Sequence, residues 1–133
     1  MNMPHVIAVV DDNESVRQAI GGFVRSCGYF AYTFPSAEAF LHSLYFDVTE
    51  CLITDLDMPA MSGVELIHQV RDKDARIPVI LISASHDEPD VRQAELAGWC
   101  RVLPKPFDGS CLLESIVRAL GPRSGNAWPL RAS

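Results

Sequence analysis

Residues 6–13 read Val-Ile-Ala-Val-Val-Asp-Asp-Asn, an apolar run that ends abruptly in three polar residues. The run is short, continuous and rich in β-branched side chains, which indicates a strand buried on both faces of a sheet. In the next segment, 15–27, apolar residues recur at helical spacing, and Gly28 stands where a helix would end. The stretch therefore predicts a strand, a polar turn and an amphipathic helix.

The same alternation of strand and helix recurs four times along the chain. The further predicted strands are 29–34, 51–54, 78–82 and 100–103, and the helices after them begin near Ser36, Val64, Pro89 and Asp108. Ser36 and Asp108 are suitable N-caps, and proline is favoured at the first helical position. Repeated β–α units predict an α/β fold, a (βα)5 domain whose parallel sheet is doubly wound. We expect residues 1–120 to form this domain and 121–133 to be a tail or linker.

The apolar residues also predict which side chains are buried. The inward stripe of the first helix includes Val16 and Ala19, and the second helix, from Ser36 to about Tyr45, turns Leu44 inward. The four cysteines lie in apolar runs, where a free thiol packs as a small hydrophobe; they are Cys27, Cys51, Cys100 and Cys111. None forms a C-x-x-C pair or a Cys/His cluster, so the sequence argues against zinc and favours a reducing, cytoplasmic location.

Composition excludes several classes of protein. The chain has 133 residues, 48% of them apolar, and a formal net charge of −6. Such a sequence can form one packed core, and its acidic balance argues against direct binding of nucleic acid. Residues 1–5 lack the charged start and the long apolar run of a signal peptide. No apolar run in the sequence reaches the roughly 18 residues of a membrane span.

Polar side chains follow four of the predicted strands. Asp11 and Asp12 follow the first strand and Asp55 the third, while Ser83 follows the fourth and Lys105 the fifth. In open α/β sheets, ligands bind at the carboxyl ends of the strands. Clustered carboxylates there would recruit a hard cation such as Mg²⁺, and an aspartate beside it can attack a phosphoryl group. Lys105 would neutralise charge on the phosphoryl oxygens, and Ser83 would offer a hydroxyl.

Several motifs, in order along the chain, closely resemble the response-regulator receiver (CheY-like) family. They are Asp11-Asp12-Asn13, Thr54-Asp55-Leu56-Asp57-Met58-Pro59, Met61-Ser62-Gly63, Ser83-Ala84 and Lys105-Pro106-Phe107. The resemblance covers residues 6–120, nearly the whole chain. The runs 36–41 and 61–66 are similar to the FixJ-like branch of this family. The resemblance implies a flavodoxin-like sheet with strand order 2-1-3-4-5.

The resemblance also implies a role for each matching residue. Asp55 would be the phosphoacceptor, and Asp11 and Asp12 the acidic pair. Mg²⁺, or Mn²⁺ in its place, would be held by these carboxylates together with the backbone carbonyl of Asp57. Ser83 and Lys105 would hold the phosphoryl oxygens, with a cis peptide between Lys105 and Pro106. The phosphoryl donor would be a histidine kinase or a phosphotransfer protein, and the chain would not be an enzyme beyond its own phosphorylation and dephosphorylation.

One position departs from the family pattern. The family has Tyr or Phe three residues before its lysine, as a side-chain switch coupled to the Ser/Thr, but this sequence has Val102. Trp99 could take over that role. The family's output and dimer face, formed by the fourth helix, fifth strand and fifth helix, would here include Val91, Leu96, Trp99 and Val102. The additional carboxylate of Asp57 should raise the negative potential of the site, and its removal should change Mg²⁺ affinity or phosphoryl lifetime.

Alternative functions also follow from these residues. The Asp55-x-Asp57 pair resembles that of haloacid-dehalogenase phosphatases, although there the pair follows the first strand. The chain could also be a pseudo-receiver that is never phosphorylated. A receiver of the FixJ-like type could be either a stand-alone protein or the N-terminal part of a transcription regulator. Ser85 and His86 could line the mouth of the site.

Overall fold

Strands and helices alternate in the computed structural model, which describes residues 4–73, 76–84 and 87–121. The strands of this part are β1 (Val6–Val10), β2 (Phe30–Phe34), β3 (Cys51–Asp55), β4 (Val79–Ser83) and β5 (Cys100–Pro104). The helices are α1 (Glu14–Ser26), α2 (Ala37–Leu41), α3 (Gly63–Asp72), α4 (Pro89–Leu96) and α5 (Gly109–Leu120), with a 3-10 helix at Phe46–Val48. The predicted (βα)5 order is therefore confirmed.

The five strands form one parallel sheet in the order β2-β1-β3-β4-β5. The chain runs from β1 to β2 on one side and then crosses to β3 on the other side of β1. The connections after β1 and β3 therefore diverge, and in this topology a crevice opens between them at the carboxyl ends of the strands. The predicted strand order is confirmed, and it defines the edge of the sheet at which a ligand can bind.

The two faces of the sheet carry two separate apolar cores. Along β1, Ile7 and Val9 belong to the core covered by α1 and α5, whereas Ala8 and Val10 belong to the core beneath α2, α3 and α4. Every residue of β3 and β4 is buried. Full burial of a Val, Leu or Ile side chain stabilises a fold by roughly 1.5–3 kcal/mol. The buried central strands therefore hold the residues at their ends in place.

The predicted starts of α2, α4 and α5 and the predicted end of α4 are confirmed. The Ser36 hydroxyl accepts a hydrogen bond from Ala39 N at 3.1 Å, and the Asp108 carboxylate accepts one from Cys111 N at 2.9 Å. Pro89 is the first residue of α4. Gly98, after α4, has a φ of +80°, a backbone conformation that a side chain would strain. These local signals decide where the helices begin and end.

Some predicted positions of side chains were wrong. Leu44 is 93% exposed, because α2 ends at Leu41 and the turn that follows breaks the helical phase. In α1 the buried residues are Ile20, Gly21 and Val24, while Val16 and Ala19 are exposed. Both exposed residues precede Ile20, the first residue of α1 that belongs to the core.

The cysteines divide into two kinds. Cys51 and Cys100 are buried, and burial raises the pKa of each thiol to about 12. Cys27 is half-buried, but Cys111 is exposed, contrary to the sequence prediction. Cys111 lies on the outer side of α5, whose buried residues are Leu112, Ser115, Ile116 and Ala119. The described cysteines are free thiols.

Two sequence predictions concern segments that the structure does not describe. The tail 121–133 lies outside the described residues except for Gly121, and Ser85 and His86 lie outside them as well.

Within the described ranges, no helix has the length and apolar character required to cross a bilayer.

Candidate functional site

The predicted site residues lie at one edge of the sheet, at or just beyond the ends of the strands. Asp11 follows β1, Asp55 and Ser83 end β3 and β4, and Lys105 follows β5. The backbone ladder continues one residue past three of the strands, through Asp11 N to Phe34 O at 3.1 Å, Leu56 N to Ile82 O at 2.9 Å and Lys105 N to Ser83 O at 2.9 Å. Sheet hydrogen bonds therefore fix the backbone from which the site side chains project.

Three carboxylates form the centre of this edge. One oxygen from each of Asp11, Asp12 and Asp55 lies within 4.8 Å of the other two. Asp11 and Asp55 are buried, whereas Asp12 is exposed. The ammonium of Lys105 lies 2.8 Å from Asp55 Oδ1, and the Lys105 side chain is 40% exposed. The structure thus brings together four of the five residues that the sequence predicted at the strand ends, and Ser83 ends the strand beside Asp55.

The charges of the cluster are only partly balanced. Burial raises the pKa of the Asp11 carboxyl above its ordinary value, and the neighbouring charges of Asp55 and Asp12 raise it further. The hydrogen bond to Asp55 raises the pKa of the Lys105 ammonium. One ammonium faces three carboxylates, so the cluster retains negative charge and offers oxygen donors alone. This donor set fits a hard divalent cation such as Mg²⁺.

We expect Asp11→Asn to stabilise the metal-free protein at neutral pH. A carboxyl whose pKa is raised by folding lowers stability once pH exceeds its folded pKa, and costs nothing below its unfolded pKa. The amide removes this unfavourable charge and keeps an oxygen for the hydrogen bond from Asn13 N, which is 2.9 Å in the native protein. Thermal melts without divalent ions should show an increase of a few degrees at neutral pH, equivalent to about 1 kcal/mol. The increase should shrink in acid, and a less stable variant at neutral pH would contradict this account.

The turn between β1 and α1 is held by contacts that the sequence reasoning missed. The Asn13 side chain caps α1 by accepting from Val16 N at 3.0 Å, while Asn13 N donates to Asp11 Oδ1. Arg17 donates from Nη1 to the backbone carbonyl of Asp11 at 2.9 Å. Asparagine directly before a helix is a signal for capping and could have been recognised. The contact of Arg17 could not, because it depends on how the helix folds back over the turn.

The loop after Asp55 is fixed by the start of α3. Ser62 and Glu65 form a reciprocal capping box, with Glu65 N to Ser62 Oγ at 3.2 Å and Ser62 N to Glu65 Oε1 at 2.9 Å. Gly63 N donates to Leu56 O at 2.9 Å. A Cβ atom on Gly63 would lie 2.6 Å from the carbonyl oxygen of Asp55 and 2.6 Å from Leu81 Cδ1. Only glycine allows α3 to approach the backbone of Asp55 this closely.

Gly63→Ala should therefore destabilise the protein and displace Asp55. The added methyl group meets backbone that sheet hydrogen bonds hold in place, so we expect a loss of about 1–3 kcal/mol in the free energy of unfolding. Gly22→Ala in α1 is the matched control, because nothing lies within 4 Å of a Cβ atom there. That variant should be more stable by roughly 0.5–1 kcal/mol. Denaturant unfolding measures both, and a Gly63→Ala protein as stable as Gly22→Ala would disprove the close approach.

Val102 and Trp99, which were considered for the role of the switch side chain, lie on the opposite side of β4 from Asp55. Val102 pairs with Leu81 in the sheet and is half-buried against the core of α2, α3 and α4. Trp99 precedes β5, and its ring meets His68 of α3 edge-on at 5.3 Å between centroids. The Trp99 carbonyl accepts from Arg71 Nη2 at 2.8 Å. Trp99 therefore joins α3 to the start of β5, and its role in switching stays a prediction.

The two residues of α4 that were predicted for the output face differ in exposure. Val91 is fully buried and cannot take part in a surface, because its position on α4 points into the core. Leu96, by contrast, is 84% exposed.

Asp57 is exposed in the loop after β3 and contributes to the raised pKa of Lys105. The effects of its carboxylate on metal affinity and phosphoryl lifetime stay predictions.

Comparison with known proteins identifies the family. Residues 7–117 match the model of the response regulator receiver domain. This chain belongs to the response regulator receiver family. Receivers are the phosphoacceptor modules of two-component signalling and are not enzymes in their own right. The match extends from β1 to α5. The phosphatase alternative needs the Asp55-x-Asp57 pair at the end of the first strand and has no support, because the pair stands at the end of the third strand.

Individual receivers and regulators are similar to most of this chain. The response regulator protein TodT of Pseudomonas putida is 37% identical over 115 residues, which are 86% of this chain and 51% of TodT. The transcriptional regulatory protein FixJ of Rhizobium meliloti is 36% identical over 86% of this chain and 56% of FixJ. The chain thus spans about half the length of the curated relatives it matches.

Solved receiver structures share the fold. The crystal structure of FixJ-N has a TM-score of 0.78 and 37% identity, and the match covers 89% of this chain and 94% of that one. The chemotaxis protein CheY4 of Vibrio cholerae has a TM-score of 0.79 and 26% identity, over 89% of this chain and all of that one. Both the CheY-like fold and the FixJ-like resemblance predicted from the motifs are confirmed.

Proposed function

We propose that this receiver accepts a phosphoryl group on Asp55 from a phosphohistidine of a histidine kinase or phosphotransfer protein. The observation that carries the proposal is the close set of Asp11, Asp12 and Asp55 oxygens, within 4.8 Å of one another, with Lys105 Nζ 2.8 Å from Asp55 Oδ1. Nucleophile, acidic pair and ammonium are thus adjacent before any donor arrives. Such preorganisation is the main requirement of phosphoryl transfer.

The proposed reaction uses Asp55 as the nucleophile. A carboxylate oxygen of Asp55 forms the new O–P bond while the N–P bond of the donor breaks, and the donor imidazole keeps the electron pair and takes up a proton from solvent. Lys105 stabilises the charge on the phosphoryl oxygens, and the Ser83 hydroxyl donates to one of them. Asp11, Asp12, Asp55 and the Asp57 carbonyl would hold Mg²⁺, or Mn²⁺, which when bound neutralises further phosphoryl charge.

The proposal extends to the role of the domain. We infer that residues 1–120 form the receiver and that 121–133 form a tail or linker, in a cytoplasmic protein of the FixJ-like type. The surface of α4, β5 and α5 would serve as the output or dimer face, with exposed Leu96 as a candidate contact. Because Val102 has no ring to rearrange, we expect output to depend on a group other than an aromatic side chain at that position.

The central test is incubation with acetyl phosphate and Mg²⁺, followed by intact and peptide mass spectrometry. We expect one phosphoryl group per chain, removable by hydroxylamine as expected of an acyl phosphate, on the peptide that contains Asp55. A parallel incubation with a phosphate ester should give no sustained turnover. Repeated turnover of the ester, or a phosphoryl group on another residue, would contradict the proposed function.

A further inference from the structure

Two arginines of α1 make the same kind of contact at opposite ends of the helix. Arg17 Nη1 donates to the carbonyl of Asp11 at 2.9 Å, and Arg25 Nη2 donates to the carbonyl of Ala31 at 2.7 Å. Each guanidinium thus binds a backbone oxygen six residues away. Only the first contact reaches the candidate metal site, because the carbonyl of Asp11 belongs to the peptide bond between Asp11 and Asp12.

Two hydrogen bonds hold Asp11, the residue that precedes this peptide. Asp11 N donates to Phe34 O at 3.1 Å, and Asp11 Oδ1 accepts from Asn13 N at 2.9 Å. These contacts involve the amide and the carboxylate of Asp11, and neither involves the carbonyl of the peptide toward Asp12. The hydrogen bond from Arg17 acts on that carbonyl. Asp12 is exposed, and the plane of this peptide sets the direction in which its side chain leaves the backbone.

We propose that Arg17 is a positioning residue of the metal site. By holding the Asp11 carbonyl, it orients the Asp11–Asp12 peptide so that both carboxylates face Asp55, within the 4.8 Å spacing of the cluster. Residues that orient metal ligands from outside the coordination shell usually contribute about 10–100-fold to metal affinity. The inference rests on the proposed metal-binding function of the cluster and adds a residue that lies outside it.

A positioning role and a purely electrostatic role predict effects of opposite sign. Arg17 is a cation beside a site that binds a cation, so loss of its charge alone would strengthen Mg²⁺ binding. Loss of its hydrogen bond would weaken Mg²⁺ binding, because the carboxylates would no longer be held together. The direction of the change in affinity therefore distinguishes the two roles without reference to the rate of phosphorylation.

The experiment is calorimetric titration of Mg²⁺ into wild type, Arg17→Gln and Arg25→Gln, with a thermal melt of each. Arg25→Gln is the matched control, because it removes the same charge and the same type of bond from the far end of α1. We expect Arg17→Gln to raise the Kd for Mg²⁺ by about tenfold and Arg25→Gln to leave it unchanged. A Kd for Arg17→Gln that is unchanged or lower would overturn the inference.

A second variant covers a failure of Arg17→Gln to fold. Arg17→Lys keeps the charge but loses the planar donor geometry of the guanidinium, so we expect weaker Mg²⁺ binding than in wild type. Unchanged or tighter binding in that variant would count against the positioning role. If wild type itself binds no Mg²⁺, the proposed metal site fails together with the inference. If wild type binds Mg²⁺ and both Arg17 variants match it, only the inference fails.

Discussion

Replacement of Asp55 by asparagine is expected to abolish phosphorylation by acetyl phosphate. The amide has nearly the same shape as the carboxylate but does not act as a nucleophile toward phosphorus, and removing a nucleophile reduces rates by at least about a thousandfold. Asp55 is buried at the end of a fully buried strand, so the substitution should not displace the neighbouring side chains. Intact mass spectrometry over time, with Mg²⁺ in excess, measures the result.

The control for this prediction is a remote aspartate. Asp47 lies in the 3-10 helix before β3, is exposed, and lines a pocket at the amino ends of the strands. Asp47→Asn should be phosphorylated at the wild-type rate. Phosphorylation of Asp55→Asn at that same rate would show that another residue accepts the phosphoryl group, and thermal melts would confirm that both variants are folded.

Replacement of Lys105 by methionine should separate metal binding from phosphoryl transfer. The ammonium lies 2.8 Å from Asp55 Oδ1, and loss of a preorganised charge of this kind usually reduces a rate by about 10²–10³-fold. Mg²⁺ affinity should rise, because a positive charge is removed from beside the three carboxylates. The metal-free protein should lose about 1 kcal/mol of stability, since Asp55 loses a partner that solvent already screens. Rate measurements and calorimetry on one preparation test all three.

Lys73 provides the matched control, because the sequence contains only these two lysines. Its ammonium lies 5.7 Å from the centre of the Phe46 ring, and it lines the pocket at the opposite end of the sheet. Lys73→Met should change neither the phosphorylation rate nor Mg²⁺ affinity. A Lys105→Met protein with wild-type phosphorylation and unchanged Mg²⁺ affinity would show that the ammonium has no part in the chemistry.

Predictions from the sequence succeeded where neighbours in the chain decide the outcome. The caps at Ser36 and Asp108 and the first helical position of Pro89 depend on contacts within one turn of helix. Predictions of burial failed where the outcome depends on parts of the chain that are distant in sequence. Leu44 and Cys111 fit an apolar pattern, but Leu44 lies past the end of α2 and Cys111 on the outer side of α5, so no core is available to bury either of them.

For the candidate site, too, some features follow from the sequence and others only from the tertiary structure. The sequence by itself determined which polar residues meet at the candidate site, because Asp11, Asp12, Asp55, Ser83 and Lys105 stand at or just after the ends of strands that any parallel sheet aligns at one edge. Only the tertiary structure decided how the cluster is held. The close approach of Gly63 to the Asp55 carbonyl and the bond of Arg17 to the Asp11 carbonyl join separate elements of structure. Such contacts depend on how a helix packs over a turn or a strand end, to within an ångström, and no spacing along the chain encodes that distance.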